Sequence, residues 1–124
     1  MDGSYPARLD GVMNDGPMVR VDVGHLRTEV NRTAALLRHT IDAMETGRAD
    51  AMVSVLEIKA ATADAAIAVT ERAMKICGGS AFRRELGIER RFRDARAAQV
   101  MAPTSDRLVD FVGRTVCGLP LLDA

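Results

Sequence analysis

Apolar residues begin to recur at spacings of three and four from about Val19. Val23, Leu26, Val30, Ala34, Leu37, Ile41 and Met44 fall on one stripe of a long helix. Gly47 is placed to close it, since glycine takes the left-handed C-cap position without a Cβ clash. Asp50 is then positioned to cap a second helix running from about Ala51 to Cys77. The apolar stripe expected there is Met52, Val55, Leu56, Ala63, Ala66, Ile67, Ala73, Met74 and Cys77. Many of its members are small, which lets a neighbouring helix approach closely. Glu71 and Lys75 stand in the favourable i,i+4 order of an intrahelical ion pair. The short link at 47–49 forces the two long helices antiparallel, as a hairpin.

Gly78-Gly79 ends the second helix. An irregular piece over 80–87 leads into an Arg-rich third helix from Ile88 to about Ala98. Pro103 breaks the chain, and Thr104 or Ser105 caps a last helix reaching about Val116, with Leu108, Val109, Phe111 and Val112 as its apolar residues. Gly118-Leu119-Pro120 stops that helix. Residues 1–17, rich in Gly, Pro and Asp, read as a flexible leader, and 18–124 as one all-α domain, an antiparallel helical bundle. Two long and two short helices make a thin bundle. The long ones carry more apolar surface than one neighbour covers, so a further element from another chain or another copy is expected to complete the core.

Composition narrows the choices. The 124 residues carry 17 basic and 17 acidic side chains, so no net field draws the protein to nucleic acid or an anionic membrane. Tyr5, Phe82, Phe92 and Phe111 are too few aromatics for a base-stacking platform. No run approaches the length of a membrane span, and the N-terminus lacks the basic and apolar parts of a signal peptide, which points to the cytoplasm. Cys77 and Cys117 match no metal or redox spacing and read as small hydrophobes in apolar surroundings. His25 and His39 lack a neighbouring ligand set and read as surface or half-buried histidines; no metal site is expected.

The informative stretch is 75–114. It joins exposed glycine amides, an arginine cluster and a second capped helix start. Backbone N–H groups at such ends attract phosphate, although a glycine pair by itself reads first as a plain C-cap. Taken whole, the string Ile76-Cys77-Gly78-Gly79, then Glu89-Arg90, then Arg93-Asp94-Ala95-Arg96, then Thr104, resembles the C-terminal helical domain of acyl-CoA dehydrogenase-family flavoproteins. Lys59 fits the preceding helix, and the likeness extends over about residues 22–117.

The resemblance implies a role at FAD. It puts Gly78 and Gly79 beside the cofactor pyrophosphate, usually across a subunit boundary, and sets Lys75, where the family often has Gln, within reach of a phosphate. It assigns Thr104 and Asp106 to the flavin or its ribityl chain, with Asp106 departing from the usual Gln. Arg93, Asp94 and Arg96 are expected in buried ion pairs that fix the last two helices. Many family dehydrogenases place a catalytic Glu where this chain reads Met101-Ala102-Pro103-Thr104, and alanine cannot act as a base. The Ala-Pro version looks more like flavin-dependent monooxygenase relatives. The first helix of the family's domain, its N-terminal helical domain and its middle β domain are read as absent from this chain, so FAD is expected only in complex with them.

The implied function is therefore a C-terminal module or split subunit of an acyl-CoA dehydrogenase-like oxidoreductase. Such a module contributes to flavin binding and oligomerisation without its own base, in a homo-oligomer or beside a separate subunit. The alternative is a non-catalytic helical oligomerisation protein that has lost the cofactor.

Overall fold

The computed structural model describes residues 17–79, 83–101 and 103–120. The stretch read as a leader lies outside them apart from Pro17, as do residues 80–82 and Ala102. Among the described residues the architecture is all-helical. It comprises α1 (Pro17–Glu45), α2 (Ala51–Cys77), a 3-10 turn (Arg84–Leu86), α3 (Ile88–Val100) and α4 (Ser105–Val116).

Local signals set the ends. Gly47 stands at φ +65°; its N–H donates to the Met44 carbonyl at 3.3 Å and the Arg48 N–H to the Ala43 carbonyl at 3.0 Å. That pair of bonds is a Schellman stop, which satisfies carbonyls that α1 leaves without a partner. The same device ends α4: Gly118 is at φ +74°, with Gly118 N–H to Thr115 O at 3.1 Å and Leu119 N–H to Arg114 O at 2.8 Å. Thr104 is the cap of α4, its hydroxyl accepting from the Arg107 N–H at 3.3 Å. Asp50 does not act as expected. Its side chain makes no cap bond and instead pairs with Arg48 at 2.9 Å, because the turn already brings that guanidinium alongside.

The hairpin is antiparallel. Asp22 meets Arg72 near the start of α1, and further along Thr40 Oγ1 lies 3.4 Å from the Ser54 carbonyl, so α1 runs forward as α2 runs back. Both α3 and α4 pack on α2, as α1 does, which makes α2 the central helix. Apart from Met52 its predicted stripe is accordingly half-buried, and its most buried residues are Ser54, Ala60 and Ala65. Met52, expected inside, is exposed. On α4 Leu108 is the anchor, at 2% exposure, while Val109 faces out.

The largest correction concerns α1. Its buried residues are Asp22, Thr40 and Ala43. Val30, Leu37, Ile41 and Met44 from the predicted stripe are 55, 47, 45 and 58% exposed. At 3.6 residues per turn the two sets are centred roughly a quarter turn apart. The inner line is built of short side chains, which let α1 and α2 approach closely. The bulky line is left on the outside.

Candidate functional site

The five residues singled out for a cofactor occupy the C-terminal end of α2 and the N-terminal end of α4. Gly78 terminates α2 at φ +55° and ψ −134°, a conformation that side chains resist, and its N–H is used by the Met74 carbonyl. Gly79 follows, also exposed. Beyond its chain neighbours, a Cβ added at either glycine would meet no atom of the described residues within 4 Å. Their backbone therefore opens onto space that the described residues do not fill.

Lys75 lies one turn before this end. Its ammonium stands 3.4 Å from an oxygen of Asp22, which also accepts from Arg72 at 2.7 Å. Asp22 is only 5% exposed. A buried carboxylate needs compensating charge, and two cations from α2 supply it. The carboxylate thus holds Lys75 on the hairpin side of the α2 terminus, and the intrahelical Glu71–Lys75 pair does not form. Glu71 pairs instead with Arg96 of α3 at 2.7 Å.

Thr104 and Asp106 line a shallow cleft of about 360 Å³ with Gln99, Val100 and Ser105. The Thr104 hydroxyl is committed to its helix cap, whereas Asp106 is exposed in the first turn. Ser105 is buried, and its Oγ has no hydrogen-bond partner among the described residues. An unsatisfied buried hydroxyl is uncommon and costs about 1–3 kcal/mol. Gly78, Gly79 and Lys75 do not line this cleft.

The arginine cluster differs from expectation. Arg93 pairs with Glu89 at 2.6 Å and Arg90 with Asp94 at 3.6 Å, both along the exposed face of α3. Arg96 reaches Glu71 on α2 and lies 3.5 Å from the centroid of the Phe92 ring. None of these pairs is buried. The reason is composition: α3 carries one buried residue, Ala95, against six charged side chains. Arg96 joins α3 to α2, not the last two helices to each other. Glu89, Arg90, Arg93 and Asp94 border a wider cleft of about 850 Å³ beside the 3-10 turn, where Arg91 donates to the Leu86 carbonyl at 3.3 Å.

His25 and His39 are both exposed, and no cluster of metal-ligating side chains occurs among the described residues. Cys77 is half-buried, but Cys117 is exposed beyond the last turn of α4, outside the apolar setting expected for it. No described helix is long and apolar enough to cross a membrane.

Asp22 is the residue that sequence reasoning missed. Its only signal was an acid set among Val19, Val23 and Leu26, on the inner edge of a helix otherwise read for its apolar stripe.

With the fold and the two helix ends described, comparison with known proteins gives the class. The family model of the acyl-CoA dehydrogenase C-terminal domain matches residues 7–117, and the chain belongs to that family. The match begins inside the stretch read as a leader. Among curated proteins, the chain is similar to cyclohex-1-ene-1-carbonyl-CoA dehydrogenase of Geobacter metallireducens, at 30% identity over 104 residues. The aligned region is 84% of this chain and 26% of that relative, so the chain spans about a quarter of the relative's length. No solved structure matches.

Proposed function

We propose that this chain is the C-terminal helical module of an FAD-dependent acyl-CoA dehydrogenase-like flavoprotein, completing a cofactor site whose greater part belongs to other polypeptide. The family is FAD-dependent. The observation that carries the reading is the family match across 7–117, which spans both the open glycine end of α2 and the capped start of α4.

The residues fit part of such a group. Gly78 and Gly79 leave room for close approach to the backbone, and Ser105 Oγ holds a hydrogen-bonding capacity that the described residues do not use. A cleft of about 360 Å³ is near the lower end of small-molecule sites and takes only a portion of a dinucleotide. In this reading Gly78 and Gly79 present backbone to the pyrophosphate, Thr104 and Asp106 border the flavin side, and Lys75 contributes positive potential from its place beside Asp22. Bound FAD supplies two-electron redox chemistry; this chain supplies shape and polar contacts. No catalytic base is assigned to it.

The test is co-expression with a polypeptide carrying the family's N-terminal and β domains, read by flavin absorbance of the purified complex. Gly79→Val is the sharp variant, because a Cβ at that position meets nothing among the described residues. A yellow wild-type complex and a colourless but intact G79V complex support the reading. A complex that never takes up flavin, or a G79V complex with full flavin content, overturns it. In the first of those outcomes a non-catalytic helical protein that lost its cofactor is the better description. Anaerobic desaturation of an acyl-CoA by the yellow complex distinguishes dehydrogenation from oxygenation.

A further inference from the structure

Five charged side chains gather along the last two turns of α2. Asp22 of α1 and Glu71 of α2 are the acids; Arg72 and Lys75 of α2 and Arg96 of α3 are the bases. Each acid has an arginine of its own at 2.7 Å, Asp22 with Arg72 and Glu71 with Arg96. The cluster therefore holds one base more than it holds acids, and the base left over is Lys75. Its contact is also the looser one. The ammonium stands 3.4 Å from Asp22 Oδ2, and the lysine side chain is 62% exposed against 36% for Arg72. An ion pair so exposed contributes little, so the lysine loses little by leaving it. The buried carboxylate keeps its charge-assisted bond to Arg72 when that happens.

The place of Lys75 gives the surplus charge a use. The C-terminal end of a helix carries negative partial charge and repels anions, unlike the N-terminal end. Gly78 and Gly79 stand at such an end, and Lys75 is the basic residue of its last turn. An anion approaching the open backbone there needs a cation that is near and not already committed. Both arginines of the cluster are committed. Lys75 is not, and it lies three residues, about 4.5 Å along the axis, before Gly78.

We propose that Lys75 changes partner: it rests on Asp22 in the arrangement described above and turns to a diphosphate when one binds beside Gly78 and Gly79. Asp22 is then a positioning residue. It keeps the ammonium close to the end of α2, and it competes with the anion for it, so it sets the affinity. The inference rests on the flavin reading for the class of anion. It goes beyond that reading in giving Asp22, on a different helix, a share in the site and in letting Lys75 leave its place. Binding thereby removes one of the two cationic ties that hold the start of α1 to α2.

Inorganic pyrophosphate, titrated at low salt into the full chain and followed by the amide NMR signals of Gly78 and Gly79, tests this. In the wild type the Asp22 carboxyl carbon and the Lys75 ε-methylene are expected to shift with the same midpoint as the two amides, a readout that needs no substitution. Asp22→Asn keeps the shape and an acceptor for Arg72, and it tightens binding roughly threefold to fivefold; Lys75→Gln weakens binding by a similar factor. In the Lys75→Gln background Asp22→Asn changes little. An acid acting through its field alone gives the same gain with or without the lysine. Circular dichroism checks that each variant is helical. Glycine amides indifferent to pyrophosphate, an Asp22 signal that stays put while they move, or equal gains in both backgrounds overturns the proposal. The colour of the co-expressed complex judges the flavin reading separately. A yellow complex with a failed cycle sinks only the exchange of partners, whereas a colourless complex with a successful cycle upholds the exchange at a diphosphate site that does not serve FAD.

Discussion

The hairpin and the C-terminal pair of helices are held to α2 by different physics. Between α1 and α2 the contact is built of short side chains, Thr40, Ala43 and Ser54, with one buried carboxylate gripped by two cations. Between α2 and the C-terminal helices the anchor on α4 is a single large side chain, Leu108, while α3 buries Ala95 and carries the Arg96–Glu71 pair at the rim. The first contact gains little from apolar area and depends on charge and close approach. The second is ordinary apolar burial. The difference shows why the bulky residues of α1 are free to face outward: they were never needed to hold the hairpin.

Leu108→Ala is expected to be the most damaging single change, costing about 3 kcal/mol in urea unfolding, because it empties the anchor of α4. A loss under about 1 kcal/mol breaks the contrast. Next is Arg72→Ala, at about 2 kcal/mol, which leaves Asp22 buried against the exposed Lys75 alone. The converse change, Asp22→Ala, costs less, since the two cations it frees can be solvated; finding the opposite order shows that the carboxylate is not the constrained partner. Thr104→Ala removes the cap of α4 and costs about 1 kcal/mol, read in the same experiment and by loss of amide protection at Arg107. The smallest effect is that of Leu37→Ala, below about 0.5 kcal/mol, as befits an exposed residue. A loss as large as that of Leu108→Ala places Leu37 in the core.

Much of the fold was legible before any coordinates. Gly47, Thr104 and Gly118 mark helix ends through the backbone geometry they permit or the N–H they accept from, and those causes are local. The spaced motif from Gly78 to Thr104 pointed to the family that the match over 7–117 confirms. The side of α1 that packs was not legible. Its hydropathy stripe follows the largest apolar residues, yet close helix contact selects the smallest, and Asp22 finds its counter-charges fifty residues on. The ion pairs were misjudged for the same reason. Glu71 and Lys75 are ideally spaced on one helix, but each has a closer opposite charge on a neighbour.

By itself the sequence determined where helices start and stop, since capping and turn geometry involve residues a few positions apart. It also determined the family, since that is carried by residue types at fixed intervals. Only the tertiary structure decided which face of α1 is inside, which charges pair, and that Ser105 is buried with a hydroxyl unused among the described residues. Those outcomes depend on which surfaces meet in space, where separation along the chain counts for nothing and shape and charge at a few ångströms count for everything.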